Sequence, residues 1–156
     1  PLYMPEKMEC GSMDTPAIAG LQASLQWLKT ARPKKIEDEL MTYLLPKLRE
    51  ISGLHLYCAP DPTLQAGVVS LNLDGFRANE VGAILDKEWN IAVRAGHHCA
   101  ARIHRHLKDQ EFDGTVRVSI SAFTTREDLD TLVKGLKSID REMLKGISSS
   151  VLRGNC

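Results

Sequence analysis

The segment Thr115-Val116-Arg117-Val118-Ser119-Ile120 alternates polar and apolar side chains over its whole length. Such alternation is typical of a strand that turns one face toward a core and the other away from it. Val116 and Val118 share one face, so Arg117 lies on the opposite one. A sheet built on this strand therefore has an apolar face and a polar face.

Runs of apolar and β-branched residues predict three more strands, and helical spacing predicts the elements between and after them. The predicted strands are Leu54–Tyr57, Val68–Leu73 and Ile91–Arg94. The first predicted helix begins at Asp14-Thr15-Pro16, and the second runs from Ile36 to near Gly53, with Pro46 expected to kink or interrupt it. Two more are predicted from Ala78 to Trp89 and within Ala100–Lys108. The last opens with a capping box at Thr124–Glu127. The stretch Asp109–Gly114 reads as a polar loop. Strands in pairs with helices between them predict an α+β domain, a small antiparallel or mixed four-stranded sheet with helices packed on one face.

Composition limits the class of protein. The 156 residues suffice for one domain, and 43% hydrophobic with 26% charged residues is ordinary for a globular one. A formal net charge of zero with no basic stripe argues against nucleic acid and anionic membranes as partners. The amino terminus lacks the regions of a signal peptide, no apolar run could span a bilayer, and four scattered cysteines predict no disulfide framework. We therefore expect a cytoplasmic protein.

The segment Arg94-Ala95-Gly96-His97-His98-Cys99-Ala100 places a thiol among groups that favour a thiolate. The arginine and the two histidines can supply positive charge or hydrogen-bond donors, and the glycine lets the chain turn sharply. Cys99 is therefore a candidate nucleophile. The alternative is a buried cysteine at a strand end whose polar neighbours point elsewhere.

Arg117 lies in the middle of its strand. If that strand adjoins a cleft, a guanidinium there is suited to bind a carboxylate through two parallel hydrogen bonds. The alternative is an arginine on a solvated outward face.

Histidines at 97, 98, 104 and 106, together with Cys99, could suggest a transition-metal site. Their spacing does not match CxxC, HxxxH or HExxH, and adjacent histidines point in different directions. We predict no metal site, and ordinary polar roles for His104 and His106. Further upstream, Gly11 and Ser12 could offer a backbone N–H and a hydroxyl to a phosphate, although no phosphate-binding glycine pattern is present.

Taken in order, these segments resemble the cysteine desulfurases and selenocysteine lyases, which are pyridoxal-phosphate enzymes of the class V aminotransferase group. The resemblance is carried by ECGSMDTP at 9–16, IAGL at 18–21, GVVSLNLDG at 67–75, IAVRAGHHCA at 91–100 and GTVRVS at 114–119. It extends from about Pro5 to about Met143, and RAGHHCA is its most specific part. It implies the fold of the C-terminal domain of the fold-type I pyridoxal-phosphate-dependent transferases.

The resemblance also implies roles for particular residues. Cys99 would be the catalytic nucleophile, which takes sulfur from cysteine as a persulfide and leaves alanine. Arg117 would bind the substrate carboxylate, and Arg94 would shape the substrate site beside the cysteine turn. Ser12 stands where the family has a threonine that reaches the phosphate of the cofactor across a dimer interface. The resemblance assigns no catalytic role to the two histidines before Cys99.

One part of the family pattern is absent. No segment resembles the Ser-x-His-Lys surroundings of the Schiff-base lysine, and no His-Lys pair occurs. We therefore interpret residues 1–145 as the C-terminal small domain, residues 146–156 as a loose tail, and the N-terminal pyridoxal-phosphate domain as missing. The isolated chain is expected to bind no pyridoxal phosphate and to be inactive unaided. The full-length enzyme is expected to be a homodimer, and a sulfur-acceptor protein is a candidate partner.

Two other interpretations stay open. The chain could be a standalone, non-enzymatic domain that carries sulfur on Cys99 or binds another protein, or it could be a metal-binding module. Departures from the family pattern are Ser12 in place of threonine, Phe123-Thr124 where many relatives have Tyr-Asn, and Ala101 where some have Pro or Gln. His104 is similar to a histidine a few residues past the cysteine in a less characterised desulfurase-like branch, which leaves the substrate open between cysteine, selenocysteine and another amino acid. A small domain separated from a larger one should also expose an apolar patch.

Overall fold

Helices and one sheet make up the computed structural model, which describes residues 2–8, 11–107, 109–145 and 147. The α-helices are α1 (Thr15–Ala31), α2 (Pro33–Arg49), α3 (Ala78–Trp89), α4 (Ala101–Leu107) and α5 (Arg126–Ser138). The strands are β1 (Leu54–Tyr57), β2 (Val68–Leu73), β3 (Arg94–Gly96) and β4 (Thr115–Ser119). The chain divides into a first unit, residues 1–33, and a second unit, residues 34–156. The predicted tail lies outside the described residues except for Ile147.

The four strands form one antiparallel sheet in the order β1-β2-β4-β3. Leu71 on β2 pairs with Leu56 on β1 and with Val116 on β4, and Ala95 on β3 pairs with that same valine. Because side chains alternate along each strand, these paired residues lie on one face of the sheet. The prediction of an α+β domain with a four-stranded antiparallel sheet is confirmed.

The hydrophobic core lies between that apolar face and helices α2, α3 and α5. Leu44 of α2, Val81 of α3 and Leu136 of α5 are almost completely buried. They belong to one cluster with Val69 and Val116 of the sheet. Predicted inward residues of α3, namely Val81, Ile84 and Leu85, are all buried as expected. Because these helices pack on the apolar face of the sheet, the polar face is available for other contacts.

Helix α1 makes up most of the first unit. It begins as predicted, because the side chain of Asp14 accepts a hydrogen bond from the backbone N–H of Ala17 at 3.1 Å. None of the described side chains of this helix is buried. The apolar residues at helical spacing, Ile18, Leu21, Leu25 and Leu28, are 46% to 60% exposed. The described part of the chain contains no candidate membrane-spanning helix.

Two local boundaries were predicted wrongly, and of the two effects expected of Pro46, a kink or an interruption of the helix, the interruption is absent. The third strand begins at Arg94 rather than Ile91, because the backbone N–H of Ile91 donates to Leu85 at the end of α3 instead of joining the sheet. The capping box of α5 is formed by Thr125 and Asp128, one residue later than predicted. Helix α2 is not interrupted at Pro46.

The segment predicted as a polar loop is also different. Residues Gln110–Phe112 form a 3-10 helix, and Asp109 and Phe112 on this segment are buried. Burial of Phe112 anchors the segment, because the ring of His55 on β1 lies 5.4 Å from its ring. The stretch between α4 and β4 is therefore a packed part of the fold.

Candidate functional site

A row of polar side chains crosses the face of the sheet opposite helices α2, α3 and α5. Tyr57 on β1 pairs with Ser70 on β2, Ser70 pairs with Arg117 on β4, and Arg117 pairs with Arg94 on β3. Directly opposed residues of antiparallel strands point to the same side, so all four side chains share one face. Like charges opposite each other repel, and an anion bound beside the two arginines would relieve that repulsion.

Arg117 is half-buried on this face, between strands whose other face is core. Its Nε atom is buried and has no hydrogen-bond partner among the described residues. A buried donor without a partner costs free energy, which a ligand that accepts its hydrogen bond would recover. A carboxylate fits this donor, because the Nε and Nη atoms of a guanidinium can bind its two oxygens together.

Cys99 is exposed and lies on a turn of unusual backbone geometry. His98 and Cys99 have φ angles of 53° and 57°, which place two consecutive non-glycine residues in the left-handed region. This conformation costs about 1–2 kcal/mol for each such residue. Backbone strain of this kind is found at functional sites, where surrounding contacts hold it in place. The exposure of Cys99 disagrees with the alternative of a buried structural cysteine.

His98 links the cysteine turn to strand β4. Its Nε2 atom lies 3.0 Å from the hydroxyl oxygen of Thr115, two residues before Arg117. Burial lowers the pKa of His98, the Thr115 contact opposes that change, and the charges of Arg117 and Arg94 and the His104 ring lower it further. Its Nδ1 atom is buried without a partner among the described residues. The ring therefore favours its neutral form beside Cys99.

A second histidine, His104, also contacts the cysteine turn. His104 of α4 is 6% exposed, and its Nδ1 atom lies 2.5 Å from Oδ2 of Asp109, which is 1% exposed. Its Nε2 atom lies 3.0 Å from the backbone oxygen of His97. The ring of His97 meets the ring of His104 edge-on, with centroids 4.8 Å apart. The residue expected to have an ordinary polar role is thus part of a buried pair that contacts the cysteine turn.

Two glycines allow the turn and strand β4 to approach each other closely. Gly96 and Gly114 have φ angles of 102° and 97°. A Cβ atom on Gly114 would lie 2.5 Å from the carbonyl carbon and oxygen of Gly96. The backbone oxygen of Gly114 accepts a hydrogen bond of 3.1 Å from Asn72, a buried residue of β2. These contacts fix where β3 ends and the cysteine turn begins.

The structure brings some of the predicted site residues together. Arg94 and Arg117 are direct neighbours in the sheet, and Cys99 lies three residues beyond the end of β3. Ser12 is exposed and belongs to the first unit, while Glu9 and Cys10 of the same segment lie outside the described residues. Within the described part of the chain, no group of three or more His, Cys, Asp or Glu side chains is arranged to hold a metal ion.

Sequence reasoning did not find Asp109, Thr115 or Asn72. Asp109 was assigned to a loop, and no pattern in the sequence pairs it with a histidine five residues earlier. The alternation that predicted β4 also placed Thr115 on the polar face, so its position, although not its contact with His98, could have been predicted. Asn72 occupies the same face of β2 for the same reason.

Covalent binding of pyridoxal phosphate would require a lysine amine, and its amino-acid substrate would require a partner for the carboxylate. The guanidinium of Arg117 has a free buried donor for a substrate carboxylate. None of the four strands and no described position of α4 carries a lysine, so this polar face offers no amine for covalent attachment of the cofactor. Among these described elements, a group suited to a carboxylate is therefore present and a lysine amine is not.

Comparisons with known proteins give the family. A family model described as aminotransferase class-V matches residues 3–132. A cysteine desulfurase from Yersinia pseudotuberculosis is 37% identical over 140 residues, which are 88% of this chain and 33% of that protein. A cysteine desulfurase from Pectobacterium carotovorum has the same identity and coverage. The chain thus spans about a third of the length of the curated relatives it matches.

Solved structures agree with the sequence comparisons. The apo structure of a cysteine desulfurase from Thermococcus onnurineus superposes with a TM-score of 0.75 at 30% identity, over 85% of this chain and 33% of that one. The S-sulfonic acid form of the cysteine desulfurase CsdA from Escherichia coli gives a TM-score of 0.66 at 26% identity, over 85% of this chain and 32% of that one. The residues that the family model matches, 3–132, include all four strands of the sheet. The family model covers more than four-fifths of these 156 residues, so the chain belongs to the aminotransferase class-V family.

Proposed function

We propose that this chain is the part of a cysteine desulfurase that supplies the sulfur-accepting thiol, Cys99, and the carboxylate-binding guanidinium, Arg117. The whole reaction would convert cysteine and the Cys99 thiol into alanine and a Cys99 persulfide, which balances without an added oxidant. The observation that carries the proposal is the buried Nε atom of Arg117, which has no described partner on the face beside the cysteine turn. The names of the relatives support the same activity.

The proposed roles follow from the chemistry of each group. Cys99 is exposed on a strained turn, so its sulfur can reach a substrate that solvent delivers. Arg117 would bind and orient the substrate carboxylate, and Arg94, its neighbour across the strand pair, would add positive charge. The neutral ring that His98 favours does not add a further positive charge to compete with these arginines.

We further propose that the remaining parts of the enzyme lie on polypeptide outside these 156 residues. These parts include the Schiff-base lysine and most of the contacts to pyridoxal phosphate, with residues 1–145 forming the small domain. Ser12 would contribute a hydroxyl to the cofactor phosphate in a homodimer. An acceptor protein would take the sulfur from Cys99, and a reducing cytoplasm would keep this thiol free.

The exposed apolar side of α1 supports the proposal that this chain is part of a larger protein. Ile18, Leu21, Leu25 and Leu28 repeat at intervals of three and four residues, and all four are exposed. The curated relatives are about three times as long as the matched region, so we propose that the absent polypeptide covers this face. Replacing Leu21 and Leu25 by lysine should reduce self-association of the chain in sedimentation experiments. Unchanged self-association, or a wild-type chain that is monomeric at high concentration, would contradict the proposal.

The function can be tested on the chain itself with a small persulfide. In the expected step, the Cys99 thiolate attacks the outer sulfur of cysteine persulfide, the donor S–S bond breaks, and the cysteine thiolate leaves and takes up a proton. Peptide mass spectrometry should find one added sulfur atom on Cys99 sooner than on half-buried Cys58. The Cys99→Ser variant should lose this modification.

The role of Arg117 is tested by the ratio of two rates. Cysteine persulfide carries a carboxylate, whereas its methyl ester does not. We expect the wild-type chain to react about fivefold faster with the acid than with the ester, the ratio that one partly exposed ion pair supports. The Arg117→Gln variant should bring the ratio close to one, whereas Arg105→Gln, a matched loss of charge at an exposed position of α4, should not. A persulfide that forms equally fast with both donors would instead favour a sulfur carrier without a substrate site.

A further inference from the structure

The buried pair formed by His104 and Asp109 is not explained by the proposed reaction or by ordinary packing. Among the described residues of α4, His104 is the only buried side chain, and only Leu107 is half-buried. A short helix held by packing alone would use an apolar residue at this position. Burial of an ionisable pair gives little net stability compared with apolar residues of similar size. Stability alone therefore does not explain why an ionisable pair is buried at this position.

Hydrogen-bond geometry fixes the state of the histidine ring. The backbone oxygen of His97 can only accept, so Nε2 of His104 must carry a proton and donate it. The other nitrogen, Nδ1, is hydrogen-bonded to the carboxylate of Asp109. The carboxylate thus sets the orientation of the ring, and the ring holds a backbone atom of the cysteine turn.

The oxygen of His97 is the point at which this pair meets the turn. It accepts one hydrogen bond of 2.9 Å from the backbone N–H of Ala100, which closes the turn around His98 and Cys99. It accepts a second from His104 at 3.0 Å. Two donors on one oxygen fix the plane of the His97 peptide, and this peptide precedes the two residues with left-handed backbone. Without the second donor, the turn has less to oppose its strain.

We propose that His104 and Asp109 are positioning residues, which hold the His97 carbonyl and thereby fix the turn that carries Cys99 relative to Arg117. This inference rests on the function proposed above. It assigns neither residue a contact with substrate. His98 gives the same turn a second attachment, to Thr115 of β4, so the turn is tied to both α4 and β4. Removal of the pair should leave the thiol reactive but no longer placed to meet a substrate bound at Arg117.

The acid-to-ester rate ratio of the full chain tests this directly. His104→Leu fills the space of the ring but cannot donate to His97, so the ratio should fall from about fivefold to near one while the rate with the ester stays close to wild type. Asp109→Ala should give the same loss. Asp109→Asn should restore the ratio, because its amide can donate to Nδ1 while Nε2 still donates to His97.

Amide exchange separates failure of this inference from failure of the proposed function. In His104→Leu, the N–H of Ala100 should exchange roughly tenfold faster, while the N–H of Val116 on β4 should not change. A wild-type ratio near one would refute the role of Arg117, and the Ala100 exchange would still decide the positioning role. A His104→Leu chain that keeps both the ratio and the slow exchange would overturn the inference. An Asp109→Asn chain that loses as much as Asp109→Ala would also overturn it, because the effect would then follow the lost charge rather than the hydrogen bond.

Discussion

Replacement of Gly114 by alanine should disrupt the junction between β4 and the cysteine turn. Gly114 has a φ of 97°, and an added Cβ would lie 2.5 Å from the carbonyl group of Gly96 and 2.9 Å from its Cα. The left-handed backbone costs an alanine about 1–2 kcal/mol. The contact with backbone atoms cannot be relieved by rotating a side chain, and overpacking of this kind adds about 1–3 kcal/mol. We expect Gly114→Ala to lower the free energy of unfolding by about 2–5 kcal/mol.

Gly75 provides a matched control. It has a φ of 79°, and a Cβ at that position would meet no atom within 4 Å. Gly75→Ala should therefore lower the free energy of unfolding by the backbone term alone, about 1–2 kcal/mol. Both variants reduce the entropy of the unfolded chain equally. Urea unfolding followed by circular dichroism gives both free energies. Equal losses in the two variants would refute the reasoning, since the difference measures the contact with Gly96.

Three other substitutions give independent tests. Because burial lowers the pKa of His98, the unfolded chain binds more protons than the folded one just below pH 6.5, so stability should fall as pH falls from 6.5 through the folded pKa. His98→Gln should flatten this dependence in urea titrations at several pH values. The same substitution at exposed His106 should not. Leu44→Ala empties a position that is 0% exposed in the core and should cost about 2–5 kcal/mol of unfolding free energy; a loss below 1 kcal/mol, which the same urea assay would detect, contradicts the described packing. Asn72→Ala leaves the buried oxygen of Gly114 without its donor and should cost about 1–3 kcal/mol, with thermal unfolding as a second measurement; a neutral effect would show that water replaces the amide.

Elements that follow from local patterns were predicted well. Helix α1 begins at its predicted cap, α3 has its predicted bounds and inward face, and the alternation of β4 places Arg117 on the polar side. Each of these depends on neighbours within a few residues along the chain. The sheet could be predicted for the same reason, since strands with one apolar face need helices to cover it.

Features that depend on distant contacts were not predicted. The start of β3 depends on whether Ile91 bonds to α3 or to β4, and its composition suits both. The pairing of Asp109 with His104 depends on the path of the chain before β4, where the sequence shows polar residues, one phenylalanine and one glycine. Continuity of α2 through Pro46 depends on the burial of Leu44, Leu45 and Leu48 around it, which a proline rule does not include.

Strand β3 lies at one edge of the sheet and has only three residues. An edge strand offers unpaired backbone groups to other chains, and short length with a charged side chain is a common protection against such pairing. Arg94 is exposed on this strand, so the guanidinium proposed to attract substrate also keeps the sheet from growing by addition of a second molecule. Selection against aggregation would thus preserve this arginine even in a relative that had lost its catalytic activity.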